Sequence, residues 1–364
     1  MSGEYTAQDF AHSPLMFYYE VTLACDLICK HCRASSQEQP HPAELSPSQA
    51  QALLEQVAAF PRPPHVVLTG GDPLKRPDLL ELIRHAVGLG LEVALTPSAT
   101  PLATPQALAE AQRAGIRALG LSLDGADAAT HDAFRGWEGS FRRTIEMLDA
   151  ARKLALPVQV NTTVVRRNVH QIDAIAELLA EKAIATWAVF FLVPVGRGVD
   201  EPRISPREYE EVFARLWRHA QTKPFVVKTT EAPHYRRYVL QQGGHPLAAP
   251  KGMPLQSAAR RGPLGIGDGK GIMFVSHIGE IYPAGFLPLC CGRFPADNVV
   301  QVYQHHPTFL ALRDPERLKG RCGRCEYRRL CGGSRARAYA LTGDYLQADP
   351  DCSYEPQAKT ILLC

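Results

Sequence analysis

The sequence predicts an α/β protein with a parallel sheet, and three observations carry that prediction. Six short β-rich runs recur between residues 16 and 193, helical stretches with one apolar face separate them, and most of the runs are apolar throughout. Continuous apolarity marks strands covered on both faces, whereas half-exposed strands alternate. Right-handed crossovers turn such a series into either a doubly wound open sheet or a full or partial (β/α) barrel. In both, functional loops gather at the C-terminal ends of the strands, so chemistry is expected just after each of them.

The strand segments are MFYYEVT (16–22), HVVLT (65–69), LEVALT (91–96), IRALGLSL (116–123), VQVNTTVV (158–165) and WAVFFLV (187–193). Between them, SPSQAQALLEQVAAF offers Ser46 as a helix N-cap, while PDLLELIRHAVGLG and TPQALAEAQRAG stop at glycines. Beyond about Lys223 the alternation is expected to stop. KTTEAPHYRRYVL suggests a short helix, Gly- and Pro-rich loops follow, and GIMFVSHIGEIYPAG has the pattern of a β-hairpin turning at Ile278 and Gly279. A helix over VYQHHPTFLALR then leads into a cysteine-rich tail. The expected organisation is a leader over 1–13, an α/β core over 14–222, a linker over 223–270 and a separate module over 271–364.

Composition narrows the function classes. With 45% hydrophobic and 21% charged residues, the chain is neither disordered nor fibrous. Lys and Arg number 40 against 37 Asp and Glu, and the resulting +3 gives no overall field for nucleic acid or a membrane surface. There is no signal-like N-terminus and no uninterrupted apolar run of about eighteen residues, so a cytoplasmic location with no membrane partner is expected.

Ten cysteines fall into two groups: Cys25, Cys29 and Cys32 near the start, and Cys290, Cys291, Cys322, Cys325, Cys331, Cys352 and Cys364 near the end. Clustered thiols in a reducing compartment argue for metal rather than disulfides. The run Cys25-Asp-Leu-Ile-Cys29-Lys-His-Cys32 follows the first strand directly. Three thiolates on a short loop can wrap three irons of a [4Fe-4S] cube, whereas a structural zinc or a complete cluster takes four ligands. The remaining iron is then open to a small molecule that chelates through an amine and a carboxylate. The plain alternative is a trio of buried thiols.

CxxxCxxC after the first strand of a six-unit βα series resembles the radical S-adenosylmethionine (SAM) superfamily. The resemblance implies a partial (β/α)6 TIM-like barrel, with Cys25, Cys29 and Cys32 as the catalytic cluster ligands. Thr69-Gly70-Gly71-Asp72-Pro73 ends strand two where the family usually has Gly-Gly-Glu-Pro, implying contact of Gly70, Gly71 and Asp72 with the methionine amino group of SAM. Ser122 and Asp124 close strand four, where relatives contact SAM; simple capping of the next helix is the alternative. Asn161, polar inside an apolar strand, needs partners, either a ligand or its neighbours. Val193 and Pro194 resemble the backbone patch that relatives set against adenine, and His31 takes the place of an aromatic residue beside it. Strand three departs from the pattern, ending in Thr96-Pro97-Ser98-Ala99-Thr100 rather than Asn-Gly.

Cys322, Cys325, Cys331 and Cys352 suffice for a closed four-thiolate site, and on spacing alone a zinc ribbon fits. The segment resembles the SPASM and twitch extensions of radical SAM enzymes, which implies a small C-terminal β-hairpin domain with an auxiliary [4Fe-4S] cluster. A single such cluster is expected, because Tyr282-Pro283-Ala284 stands where the full SPASM pattern has a cysteine. Cys290 and Cys291 are expected mainly as small buried hydrophobes and Cys364 as spare. The basic run RCGRCEYRRLCGGSRARAY suits an anionic cluster better than a nucleic acid.

The implied activity is reductive cleavage of SAM to a 5′-deoxyadenosyl radical that abstracts substrate hydrogen. An electron donor of flavodoxin or ferredoxin type would feed it, and the auxiliary cluster would take the substrate's electron in a net oxidation. YYEVTLACDLICKHCRAS, SLDGADAATHDAFRG and CGRCEYRRLCGGSRARAYALTGDYLQADPDC resemble the branch that contains haem and haem d1 biosynthesis enzymes, implying an iron-tetrapyrrole substrate. His234, Tyr235, Arg236 and Arg237 are then candidates for holding propionates, although Glu231 stands where several of that branch carry cysteine. The alternatives are a ribosomal peptide maturase of the same superfamily and a non-enzymatic module that binds zinc or nucleic acid.

Overall fold

All six apolar runs form strands: β1 (Met16–Glu20), β2 (His65–Thr69), β3 (Glu92–Leu95), β4 (Ala118–Ser122), β5 (Val158–Val164) and β6 (Thr186–Phe191). In the computed structural model, which describes residues 5–248 and 265–357, they pair in sequence order and all parallel. Their outward side chains, such as Phe17, Val66, Leu119, Val160 and Trp187, join the covering helices in one buried core. The first helix, Pro47–Ala58, is held by the expected Ser46 cap, closed reciprocally by Gln49. It buries Leu53, Leu54 and Val57, each contributing roughly 1.5–3 kcal/mol. Gly115 ends the helix Pro105–Ala114 in the left-handed conformation that favours glycine.

Two expectations beyond Lys223 are corrected. The alternation does not stop there: Val226–Thr230 forms β7, parallel to β6, and only then does the helix His234–Gln241 begin. The strand was obscured because it is short and its Lys228-Thr229-Thr230 half is polar. The helix expected over VYQHHPTFLALR is two helices, Val299–His305 and Pro307–Arg313, because Pro307 cannot donate its backbone nitrogen to a helix already in progress.

The expected hairpin is present as β8 (Ile272–Val275) and β9 (Glu280–Tyr282), with Gly279 at φ +85°. It is not detached from the barrel. β8 pairs parallel with β1, and β10 (Gly292–Arg293) follows β9, so one sheet runs β10-β9-β8-β1-β2-β3-β4-β5-β6-β7. The barrel is partial, with β1 to β7 curving round a lumen and the C-terminal strands extending the β1 side. Ser122, Asn161, Ala188 and Lys228 are successive register partners across β4 to β7, and their side chains lie opposite the outward set in the core. No helix among the described residues is long and apolar enough to cross a membrane.

Candidate active site and a second cysteine group

The chain leaving β1 folds back on itself, with the Cys25 N–H donating to Gln37 O at 2.7 Å. Cys25, Leu27 and Cys29 are buried together, with Cys32 and Trp137 packed against them, so the three predicted thiols share one patch. The second-strand loop lies against this segment: Gly71 N–H donates to Thr22 O at 2.9 Å and Asp72 N–H to Ala24 O at 2.6 Å. A Cβ on Gly70 would stand 2.4 Å from Thr22 O, and one on Gly71 2.4 Å from Ala24 O. These glycines are therefore required for backbone approach, whatever else they touch.

From the far side of the sheet, Arg197 clamps the same loop. Its Nε donates to Cys29 O at 2.9 Å, its Nη1 to Ser36 O at 2.9 Å and its backbone N–H to Cys32 O at 3.0 Å. Arg135 is the third fixture, with Nη1 3.7 Å from the Cys29 sulfur and Nη2 2.5 Å from the buried Asp124 carboxylate. Asp124 also accepts from the Thr163 N–H at 2.6 Å. It is therefore not a helix cap; Asp127 caps the next helix, Ala128–Arg135. Burial opposes the charge on Arg135, but Asp124 and Cys29 outweigh it and raise its pKa. The His31 ring stacks on Phe134 at 4.1 Å, with Nε2 3.8 Å from Asp124. Burial, reinforced by Arg135 and Arg197, pushes its pKa well below the usual range, so it is neutral.

Burial pushes the Cys25 thiol up to about 11 and raises Cys29 as well. Burial also acts on Cys32, but bonds from the Ser36 hydroxyl and N–H prevail and lower it. Asp72 is fully buried. Its carboxylate accepts from Leu74 N–H at 3.1 Å, Ser98 N–H at 3.3 Å and the Thr100 hydroxyl at 2.6 Å, while burial raises it to about 6. The two departures from the family pattern thus meet: the shorter acid is received by the Thr-Pro-Ser-Ala-Thr turn. Ser122 and Asn161 are register neighbours on the lumen face, and Asn161 accepts from Gln159 at 2.7 Å. The Val193 side chain points elsewhere, into a small core with Ala284, Leu287 and Leu312.

Cys322, Cys325, Cys331 and Cys352 line one cavity of about 30 Å³, together with Gly333 and Asp349. Backbone N–H groups of Asp349 and Gly333 point at the Cys322 and Cys331 sulfurs at 3.4 Å each, and Arg335 lies 3.7 Å from Cys322. Cys291 is buried in the main core as expected, but Cys290 is exposed, and Cys364 lies outside the described residues. Asp349 forms a fully buried pair with Arg337, at 2.8 and 3.0 Å. Burial acts against its charge, but Arg337 prevails and holds it well below the usual carboxylate range.

A cavity of about 320 Å³ borders the C-terminal cysteine group at Cys331. Met16, Thr186 and Val226, at the starts of β1, β6 and β7, line it, as do Lys228, Glu231 and Cys331. It therefore lies toward the N-terminal ends of the strands, opposite the Cys25–Cys32 loop, where the strand-end rule did not direct attention. Of the four propionate candidates, Tyr235 and Arg236 line it; His234 and Arg237 do not. His234 is stacked on Tyr209 at 5.3 Å and Arg237 is paired with Glu210, so both serve the packing of their helix. Arg135, Arg197 and Lys228 were absent from the sequence-based set.

A strand-one thiol loop clamped at the mouth of a partial barrel defines the SAM-dependent radical enzymes, and the comparisons agree. The model of the Radical SAM superfamily matches residues 19–179, and the chain belongs to that superfamily. It is 39% identical to an AdoMet-dependent heme synthase of Methanosarcina barkeri, over 96% of this chain and 99% of that protein. It is also 31% identical to the mycofactocin maturase MftC of Mycobacterium ulcerans, over 95% of this chain and 90% of that protein. The fold matches Streptococcus suis SuiB bound to S-adenosylmethionine, with TM-score 0.68 and 16% identity, covering 94% of this chain and 78% of that one. The chain is a radical SAM enzyme, and its family implies a [4Fe-4S] cluster and SAM.

Proposed function

We propose that this enzyme oxidises a side chain of an iron tetrapyrrole in haem biosynthesis, using residues 14–222 to generate the radical and the C-terminal segment to accept the electron. The observation that carries this reading is the cation-lined cavity in the barrel, bordered by the C-terminal cysteine group at Cys331. A propionate-bearing macrocycle is an anion with a large apolar face, and the cavity offers Lys228 and Lys270 beside Leu15, Ile266 and Leu312. The identity to a heme synthase along nearly the whole chain supports the same substrate.

Cys25, Cys29 and Cys32 would hold the SAM-binding cluster, for which three thiols on one buried patch are a fitting donor set. Ser122, Asn161, Asp72 and the backbone at Val193 are the SAM contacts in this reading, with His31 beside the adenine. Cys322, Cys325, Cys331 and Cys352 would hold one auxiliary [4Fe-4S] cluster. These four thiols line one cavity, a donor set that fits a cubane. When bound, the clusters and SAM supply a radical that abstracts hydrogen and a sink for the electron left behind. The chain's own residues aim the substrate, fix the cysteine loop through Arg197 and exclude water. A flavodoxin- or ferredoxin-type donor is the expected reductant.

The test is anaerobic incubation with SAM, reductant and either iron tetrapyrroles or peptides encoded beside the gene. Deoxyadenosine above background with tetrapyrrole alone is expected, and turnover with peptide alone overturns the reading in favour of a maturase. Replacing Cys325 with Ala is expected to leave uncoupled SAM cleavage while product formation stops.

A further inference from the structure

The basic residues of the cavity are not equivalent. Its arginines are already engaged: Arg236 donates to Leu330 O and Ile266 O, Arg335 to Tyr345 O and Gln347 O, and Arg328 and Arg329 share Glu316. The lysines differ. Among the described residues Lys228 has no hydrogen bond or ion pair at its ammonium, and Lys270 has only the Phe10 ring, 5.8 Å away. Residues 249–264, the internal stretch outside the described chain, contain no Asp or Glu in the sequence, so no carboxylate comes from there.

Lys228 is also placed with purpose. It ends the register row Ser122, Asn161, Ala188, and it lines the cavity that reaches Cys331. Lys228 is exposed where it lines the cavity, so its ammonium is solvated there and open to an incoming anion. Glu231 and Asp268, the cavity's carboxyl groups, are bound elsewhere, to the Ser334 hydroxyl and the Ala336 N–H. Among the described residues no carboxylate meets the Lys228 ammonium, which leaves it available to an anion arriving with the substrate.

We propose that Lys228 grips one carboxylate of the substrate inside the lumen and Lys270 a second, so that the cavity selects a substrate with two carboxylates on an apolar frame. This rests on the tetrapyrrole reading, in which propionates supply both groups. Lys228 is thus a substrate-orienting residue at the level of the SAM contacts, and Arg236 serves the wall rather than the ligand.

The experiment titrates the cluster-loaded enzyme with iron protoporphyrin IX and with its dimethyl ester, following the visible absorption band at pH 7. Wild type is expected to bind the diacid about tenfold or more tightly than the ester, the worth of a charge-assisted hydrogen bond. Lys228→Met and Lys270→Met should each weaken diacid binding by about that factor and leave ester binding nearly unchanged, a coupling that a packing defect does not mimic. Lys228→Arg should retain most of the preference. Because Lys228 is unpaired, Lys228→Met should not lower Tm. Equal losses for diacid and ester, or no loss with diacid, overturn the grip while leaving the tetrapyrrole reading in place. Failure of wild type to bind either porphyrin overturns both.

Discussion

The two cysteine groups are built in contrasting ways. The Cys25–Cys32 loop supplies three thiols and is fastened by outside parts: two glycines under its backbone, Arg197 on its carbonyls and Arg135 beside one sulfur. The Cys322–Cys352 ring supplies four thiols and is fastened largely from within, by N–H groups of Gly333 and Asp349 and by the buried Arg337–Asp349 pair. An incomplete ligand set needs a rigid frame to keep one position open without collapsing onto it. A complete set satisfies itself and needs mainly a fold that brings distant sequence together. The contrast teaches why the first group fits in eight residues and the second spreads across thirty-one.

The largest effect should separate the groups outright. Cys29→Ala is expected to reduce SAM cleavage to the level of cluster-free protein, read as deoxyadenosine formed with dithionite. It should also remove about four irons per chain, a whole [4Fe-4S] set, while the C-terminal group keeps its own. Normal cleavage by this variant would sink the assignment of the open site.

Breaking the inner fastening of the ring comes next. Asp349→Ala takes the closer of two carboxylates from Arg337, whose side chain is fully buried, and leaves Asp351 at 3.3 Å, so the loss should fall below the roughly 3–5 kcal/mol of a buried pair broken outright. Denaturant unfolding under anaerobic conditions should register that loss, with iron lost from the C-terminal site before the N-terminal one. A loss below about 1 kcal/mol would show that the ring does not depend on the pair.

These fastenings explain what was legible in the sequence. Strands such as His65–Thr69 and caps such as Ser46 depend on local pattern, and they stand where the pattern put them. The thiols were legible because cysteine is rare and its spacing carries chemistry. Arg135 and Arg197 were not, because a buried arginine is indistinguishable from a surface one until the sulfur or carbonyls it serves are brought near from over a hundred residues away, as those of Cys29 are. β7 was missed for the related reason that its inner face is polar: Lys228 points into a lumen, so the apolar run that marks a covered strand is interrupted. His234 and Arg237 show the same ambiguity in reverse, since residues suited to a ligand also make packing contacts, with Tyr209 and Glu210.

The smallest effect tests whether the open end gives up stability for binding. Asp72 is buried with its pKa raised to about 6, so the folded protein holds that proton more tightly than the unfolded chain does at 3.8. Its contribution to stability is therefore fully present below about pH 3.8 and lost as pH rises through 6; above that, the ionised carboxylate is a burden of up to about 3 kcal/mol. Asp72→Asn keeps an oxygen for the Leu74 and Ser98 N–H groups, and the Thr100 hydroxyl can turn to accept from the new amide. The variant without SAM should match wild type near pH 3 and exceed its stability by up to about that amount at pH 8, while binding SAM more weakly because the carboxylate no longer faces an amine. If Asn at this position is destabilising at pH 8, the charge is already balanced inside the protein. The open end would then resemble the closed one more than its unfilled ligand set suggests.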